Sequence, residues 1–280
     1  MFCLLRKKSY ICKKFTAHTM KKTVLAILAF ACIVAACGKD EKENKPKKFV
    51  AETITVKGVR FVMMPVEGFS FVMGGTSEQG NDAETNEFPI HRVELSNYYI
   101  SETEVMQRLW KTVMGNNPSN FLGDSLPVEN VNFDDCHEFI TRLNSLTGRT
   151  FRLPTEAEWE FAARGGKKTE SYIYSGSDTV DLVAWCMGNC NDSTHIVASK
   201  APNELGLYDM SGNVLEWCED WYGKYDGEEQ NNPRGPETGS AKIVRGGAWF
   251  MDPKYSRVSF RAGYNPKKGY GTGLRLVMDP

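Results

Sequence analysis

The sequence predicts an α+β domain, with helices in its first half and short strands joined by loops in the remainder. Three segments between residues 101 and 166 carry apolar residues at helical spacing. Residues 167–280 instead interleave glycines, prolines and aromatic residues over short distances. Because helices and strands do not alternate along the chain, a doubly wound parallel sheet is disfavoured.

The N-terminal 36 residues have the composition of a leader and not of a folded domain. Residues 1–19 lie upstream of a better start at Met20, which opens a short basic segment followed by a brief apolar run. This run is too short to span a bilayer, so residues 20–36 are predicted to be a signal peptide. Its last residues and Cys37 resemble a bacterial lipobox, in which the cysteine is lipidated. An ordinary signal peptide with an incidental cysteine is the alternative.

The segment that follows Cys37 is polar and lacks an apolar face. We therefore predict that residues 37–57 form a disordered tether and that the folded domain spans residues 58–280. Lys39-Asp40-Glu41 resembles the acidic signal by which some bacterial lipoproteins reach the outer face of the outer membrane, although charged runs are also common in plain linkers. The predicted location is the cell envelope, lipid-anchored to the outer membrane, and the acidic signal would place the protein at the cell surface.

The charge balance after the leader argues against polyanionic partners. Seven of the 34 lysines and arginines lie in residues 1–36, which contain no acidic residue, so the remainder carries a formal charge of about −8. A net negative domain repels phosphate backbones. Nucleic acid is therefore not an expected partner.

The first part of the domain shows alternating apolar residues that are typical of strands. Residues 61–64 and 69–73 are separated by a turn signal and predict a hairpin. Residues 91–95 and 98–100 predict two further strands.

Three helices are predicted from apolar periodicity and from residues that favour helix ends. They span residues 101–115, 132–148 and 155–165. The third has the strongest local signals, because Thr155 and Glu158 have the spacing of a capping box and a glycine follows the last turn.

The segment 202–221 combines acidic, aromatic and turn-forming residues more densely than the rest of the chain. Asp209 and Glu216 lie there among large apolar side chains, and a buried carboxylate must be paired or coordinated to a cation. The segment thus predicts either a structural cation site or a polar core that contains an arginine such as Arg245 or Arg261.

Four cysteines follow the predicted lipidation site, at Cys136, Cys186, Cys190 and Cys218. An exported protein can form disulfides, and the sequence leaves the pairing open. Cys186 and Cys190 indicate a local disulfide or two unpaired thiols. A zinc site is disfavoured there, since His195 is the sole neighbouring histidine.

Five motifs, in order, resemble the signatures of the formylglycine-generating enzyme, or sulfatase-modifying factor, family. They are Pro127-Val128-Glu129-Asn130-Val131, the run Arg152-Leu153-Pro154-Thr155-Glu156-Ala157-Glu158-Trp159-Glu160, the run Gly206-Leu207-Tyr208-Asp209-Met210-Ser211-Gly212-Asn213-Val214, then Arg245-Gly246-Gly247-Ala248-Trp249 and Gly273-Leu274-Arg275. The resemblance covers roughly residues 58–278. It implies a C-type-lectin-related α+β fold with little regular secondary structure and with structural calcium.

The resemblance also implies where calcium is held. In that family the ligands match Asp209, the carbonyls of Gly212 and Val214, and the carboxylate of Glu216. Calcium accepts such a mixture of carboxylate and backbone oxygens.

The catalytic cysteines that the resemblance implies are not found at the matching positions of this sequence. The enzymes of the family oxidise a substrate cysteine with oxygen, using two cysteines that bind copper(I) shortly after the Arg-Gly-Gly motif. The matching positions here are Met251 and Ser256, and no cysteine follows Cys218. A thioether and a hydroxyl cannot replace a pair of soft thiolates, so copper is not expected.

The function predicted from the sequence is therefore a lipid-anchored, non-catalytic binding module with a protein or glycan ligand. The alternative is a formylglycine-generating-type oxidoreductase that acts on exported sulfatases by an altered mechanism. The groove predicted for the ligand is lined by Trp249, Phe250, Met251, Tyr255, Ser256, Tyr264 and Tyr270.

Overall fold

The structure is a computed structural model that describes residues 49–280. The predicted leader, Cys37 and most of the predicted tether lie outside the described residues. Within residues 49–280, no helix is both long and apolar enough to cross a bilayer.

Fourteen short strands and four α-helices form the described domain, linked by loops and single turns of 3₁₀ helix. The strands are β1 Glu52–Val56, β2 Val59–Val66, β3 Ser70–Met73, β4 His91–Glu94, β5 Tyr98–Ser101, β6 Phe151–Arg152, β7 Ala184–Trp185, β8 Ser211–Gly212, β9 Leu215–Trp221, β10 Gln230–Asn231, β11 Lys242–Arg245, β12 Arg261–Tyr264, β13 Thr272–Gly273 and β14 Val277–Met278. The helices are α1 Gln107–Met114, α2 Phe133–Thr147, α3 Glu156–Ala163 and α4 Val180–Val183.

The strands form four small sheets. The largest has the order β1-β2-β5-β14-β6 and is antiparallel throughout, so β14, near the C-terminus, lies between β5 and β6. A second sheet has the order β12-β11-β9-β13, and the others are β10-β4-β3 and β7-β8. These short strands and the separate helices agree with the predicted α+β class.

The ordered domain begins earlier than the predicted boundary at residue 58. Residues 52–56, assigned to the disordered tether, form β1, and Ile54 and Val56 are buried in the core. The alternation in this strand is short and partly polar, but pairing with β2 satisfies the backbone hydrogen bonds on one side of it.

The predicted hairpin over residues 61–73 is wrong. β2 pairs with β1 and β5, whereas β3 belongs to a different sheet and pairs with β4. Gly68 lies in the connection between them, where a Cβ atom would stand 2.1 Å from the carbonyl oxygen of Leu95. The turn signal is therefore real, but it carries the chain from one sheet to another.

The three predicted helices are present at the expected positions, one of them with a late start, whereas the single-turn helix α4 was not predicted. α3 has the expected capping box of Thr155 with Glu158, and α2 has one that was not predicted, Asn132 with Asp135. α1 begins at Gln107 and not at residue 101, because the amides of the preceding segment bond to other parts of the chain. The amide of Val105, for example, donates to the carbonyl of Leu274 at 2.9 Å.

A second, polar core lies between the sheets beside the apolar one. Four fully buried arginines each meet a buried glutamate. The pairs are Arg245 with Glu160, Arg257 with Glu87, Arg261 with Glu156 and Arg275 with Glu216. Each pair joins segments at least 59 residues apart in sequence.

Candidate functional site

The segment that contains Asp209 and Glu216 is a tight, buried turn that leads into β9. Gly212 has a positive φ of 80°, and a Cβ atom there would stand 2.4 Å from the carbonyl oxygen of Trp185. Asp209 and Asn213 also have positive φ values, which non-glycine residues rarely adopt. The backbone of the turn is thus fixed by close packing against β7.

Glu216 is the anion of a buried ion pair. Its carboxylate accepts hydrogen bonds from the indole N–H of Trp159 at 2.7 Å and from the guanidinium of Arg275 at 2.8 to 3.1 Å. The two arginines considered from the sequence, Arg245 and Arg261, pair with other glutamates. The arginine-linked core is therefore present at Glu216, with Arg275 as its cation.

Asp209 has a different environment, beside the buried carboxyl group of Glu104. Asp209 Oδ2 accepts a hydrogen bond from the amide of Ala198 at 2.7 Å, and Glu104 Oε1 accepts one from Asn213 Nδ2 at 3.0 Å. Glu104 Oε2 is buried and has no hydrogen-bond partner among the described residues. Sequence reasoning missed Glu104, which it placed in the first turn of a helix and which no motif marks.

Burial is the main cause of the pKa shifts of Glu104 and Asp209. It raises the pKa of Glu104 well above its usual value, and the nearby negative charge of Asp209 raises it further. Burial also raises the pKa of Asp209, although the hydrogen bond from Ala198 opposes this shift. Two adjacent buried carboxyl groups favour a bound cation, because a cation compensates both charges.

The fit of these residues to the predicted calcium is therefore partial. Asp209 offers a carboxylate, with Glu104 beside it, while the carboxylate of Glu216 is engaged by Arg275 and Trp159. Gly212 and Val214 are buried in the same turn. No cluster of three or more histidine, cysteine or acidic side chains with metal-binding geometry occurs in residues 49–280. Calcium at Asp209, Gly212, Val214 and Glu216 stays a prediction.

Four of the predicted groove residues lie together and form what we call the aromatic surface: Trp249, Phe250, Tyr264 and Tyr270. The rings of Trp249 and Phe250 are 5.2 Å apart, and those of Phe250 and Tyr270 are also 5.2 Å apart. Tyr264 Oη donates to the carbonyl of Tyr270 at 3.4 Å. The ring of Tyr270 is 60% exposed. Aromatic rings with few rotatable bonds and partial exposure are suited to ligand contact.

Two details of the aromatic surface escaped sequence reasoning. Phe121 extends it, with its ring 5.2 Å from that of Trp249. Gly271 lies under Phe250, where a Cβ atom would stand 2.3 Å from the ring. The glycine after Tyr270 is the one sequence signal for this close approach.

The remaining three groove residues are less available. Ser256 is fully buried, and its carbonyl accepts a hydrogen bond from Ser211 Oγ at 2.7 Å. Met251 is half-buried against the apolar core, and the ring of Tyr255 packs at a tilt against that of Phe260, with the centroids 5.0 Å apart. The structure therefore places Ser256 beneath the surface, because the Gly247 backbone packs directly against it.

The four cysteines of residues 49–280 do not form disulfides with one another. Cys136 and Cys218 are fully buried, and burial raises the pKa of both thiols well above the usual value. Burial also raises the pKa of Cys186 to about 11. Thiols with raised pKa values are weak nucleophiles and weak metal ligands at neutral pH.

Cys190 lies against the aromatic surface. Its thiol donates to the carbonyl of Trp249 at 3.0 Å, and the neighbouring amide of Met187 donates to the carbonyl of Met251 at 2.9 Å. The turn that carries Cys186 and Cys190 thus packs on residues 249–251. His195 closes this turn, with its ring stacked 3.7 Å from that of Trp185.

The chain belongs to the family described as sulfatase-modifying factor enzyme 1-like domain, which matches residues 60–280. The predicted α+β, formylglycine-generating-enzyme-like fold is confirmed. The family and the fold are thereby established for the described domain.

Among its relatives, the chain is 32% identical over 238 residues to the chaperone protein LppX of Paenibacillus barcinonensis, with 66% of this chain and 81% of the relative covered. It is 33% identical over 196 residues to a formylglycine-generating enzyme of Thermomonospora curvata, with 61% of each chain covered. It is also similar to the solved structure of Treponema denticola variable protein 1, with a TM-score of 0.76 and 33% identity, over 83% of this chain and all of the other.

Proposed function

We propose that this protein is a lipid-anchored, non-catalytic binding module whose aromatic surface contacts a protein or glycan ligand. The carrying observation is the partly exposed strip of Trp249, Phe250, Tyr264 and Tyr270, which lies beside the positions where family enzymes have their cysteines. Those positions are Met251 and the buried Ser256. The aromatic surface offers an area for ligand contact. It lacks the thiolate pair that the chemistry of the family enzymes requires.

The comparisons support a role outside catalysis without identifying the ligand. One relative is named a chaperone protein, a class that binds other proteins. The anchor rests on the lipobox-like segment that ends at Cys37, and outer-membrane location rests on the acidic residues after it. Asp209 and its neighbours would hold calcium and fix the turn that supports β9.

The binding proposal is tested with Tyr270→Ala, because this ring is the most exposed of the aromatic surface. The purified protein is screened against a glycan array and against envelope proteins by crosslinking, and each hit is titrated. Loss of an interfacial aromatic anchor costs about 2 kcal/mol or more, so we expect binding to weaken roughly 30-fold. Tyr172→Ala, on a different loop, is the matched control and should bind as wild type. A screen that yields no ligand dependent on Tyr270 contradicts the proposal.

The second candidate function is a formylglycine-generating-type oxidoreductase with an altered thiol site. It is favoured by one observation, the contact of the Cys186 to Cys190 turn with residues 249–251. The raised pKa of Cys186 opposes it. Wild type and Cys190→Ser are incubated with a Cys-x-Pro-x-Arg peptide, copper and oxygen, and the peptide mass is measured. Conversion of the peptide cysteine to an aldehyde by wild type alone would favour this function over the binding module.

A further inference from the structure

A separate pocket of about 550 Å³ lies away from the aromatic surface. It is bounded by the N-terminal end of α3, the end of β9 and the loop 223–236. Its lining includes Glu156, Asp220, Lys224, Tyr225, Arg234 and Arg261. None of the sequence motifs pointed to this pocket as a ligand site.

Asp220 is the unusual group in the pocket. It is 4% exposed, and its Oδ2 accepts a hydrogen bond from the amide of Glu156 at 2.9 Å. Its Oδ1 has no hydrogen-bond partner, and no arginine, lysine or histidine of residues 49–280 forms an ion pair with it. The neighbouring carboxylate of Glu156 does have a cationic partner, because it accepts two hydrogen bonds of 2.6 and 2.7 Å from Arg261.

The charged groups around Asp220 leave its carboxylate uncompensated. Burial raises its pKa to about 7, with the negative charge of Glu156 as the next cause and smaller contributions from Glu158 and Glu219. Lys242 is close, but its ammonium group donates to the carbonyl of Glu219 at 2.7 Å. The other titratable groups that face the pocket are His91, Lys224, Tyr225, Asp226, Arg234 and Arg261.

The rim of the pocket has the opposite character from the floor. Lys224 and Arg234 are exposed there, and neither takes part in an ion pair within residues 49–280. Arg261 does not add a free positive charge, since Glu156 neutralises it. Lys224 and Arg234 outnumber Asp226, the exposed carboxylate at this rim, so the floor favours a cation and the rim favours an anion.

We infer that this pocket binds a small zwitterion whose ammonium group pairs with Asp220 and whose anionic group meets Lys224 and Arg234. The ammonium group supplies the counter-ion that the protein itself does not, and it donates to Asp220 Oδ1. A ligand that carries only one of the two charges matches only one end of the pocket.

The probe that tests this inference is 6-aminohexanoate, titrated into the protein by isothermal calorimetry, with hexanoate as the probe that lacks the ammonium group. We expect 6-aminohexanoate to bind wild type at least tenfold more tightly than hexanoate. Asp220→Asn keeps an acceptor for the amide of Glu156 and should lose at least tenfold in affinity. Glu219→Gln, which changes the adjacent and more exposed carboxylate, should bind as wild type.

A proton measurement separates pairing with Asp220 from a merely structural effect. At pH 6 the free Asp220 is mostly protonated, so binding of an ammonium group should release about 0.9 proton, against about 0.1 at pH 8. The release is read from binding heats in two buffers of different ionisation enthalpy. The inference is overturned if hexanoate binds equally well or if Asp220→Asn keeps its affinity. It is also overturned if 6-aminohexanoate does not bind at a concentration of about 10 mM, or if the proton release does not depend on pH. None of these outcomes depends on the aromatic surface.

Discussion

The buried ion pair of Arg275 and Glu216 makes a sharp prediction about stability. Arg275 has no exposed surface, and its guanidinium donates to the carbonyl of Ser101 at 2.8 Å, to the carbonyl of Tyr208 at 2.8 Å and to both carboxylate oxygens of Glu216. Substitution of Arg275 by methionine keeps most of the volume but removes every one of these donors. Glu216 is then left as a buried anion with the indole N–H of Trp159 as its remaining partner.

The expected cost follows from this uncompensated charge. Removal of one partner from a buried ion pair typically costs about 3 to 5 kcal/mol. For a domain of this size, about 1 kcal/mol corresponds to roughly 2 to 4 °C in melting temperature. Arg275→Met should therefore lower the free energy of unfolding by about 4 kcal/mol and the melting temperature by roughly 10 to 15 °C. Arg275→Met combined with Glu216→Gln should lose less than the sum of the single changes, because no charge remains buried.

Urea unfolding followed by tryptophan fluorescence measures these differences, with calcium and with chelator in parallel. The control is Arg142→Met, which breaks the exposed pair with Glu138 on α2, where both side chains are about half exposed. Exposed pairs of this kind contribute about 0.5 kcal/mol or less. A loss below about 1 kcal/mol for Arg275→Met would refute the reasoning, since it would mean that water or a rearranged side chain compensates Glu216 without difficulty.

Three further predictions concern calcium, pH and the anchor. Calcium at 100 times its dissociation constant stabilises the folded state by about 2.7 kcal/mol. Chelation should therefore lower the melting temperature by several degrees in wild type and in Asp124→Asn, but not in Asp209→Asn. An unchanged melting temperature in wild type would contradict a calcium site in this turn. Because burial raises the pKa of Asp220 to about 7, the folded state retains a proton that the unfolded state has lost between about pH 4 and 7. Stability therefore falls across this window as pH rises. The free energy of unfolding of wild type, measured with urea, should fall by up to roughly 4 kcal/mol relative to that of Asp220→Asn. The same pH dependence in both proteins would contradict the raised pKa of Asp220. Cys37→Ser should abolish labelling by a fatty acid and release the protein from the membrane fraction, while Cys32→Ser should change neither.

The sequence predicts those parts of the fold that are specified within a few residues. α3 has its capping box at Thr155 and Glu158 and its positive-φ glycine at Gly165, and all of these lie within one short segment. α2 is similar, with Asn132 at its start and Gly148 at its end. Such signals act through local hydrogen bonds and backbone preference, so no tertiary contact is needed to interpret them.

Strand partners and the cation of the polar core could not be predicted in this way. The alternation in residues 61–64 and 69–73 indicates strands, but their partners are fixed by hydrogen bonds to distant segments. The same holds for Glu216, whose arginine lies 59 residues further along the chain, and for Glu104, which meets Asn213 at a separation of 109 residues. Residue type shows that a buried charge needs a partner, whereas only the folded chain shows which one.

The family signatures themselves are largely explained by the polar core. In the motif of residues 152–160, Arg152 pairs with Glu158, Glu156 with Arg261 and Glu160 with Arg245. Glu216, which follows the Gly-Leu-Tyr-Asp motif, pairs with the arginine of the last motif. Loss of one partner from a buried pair leaves an uncompensated charge, so these motif residues support the fold of this chain independently of any activity.

In this chain, the charged residues of the motifs therefore serve the fold through their ion pairs. The positions that the family resemblance assigns to catalysis, 251 and 256, lie outside the ion pairs and carry a methionine and a buried serine. The exposed ring of Tyr270 and the unpaired carboxylate of Asp220 likewise lie outside them. A relative with the same polar core can therefore differ completely in ligand, since a change at these positions alters a surface or a pocket without unpairing a buried charge.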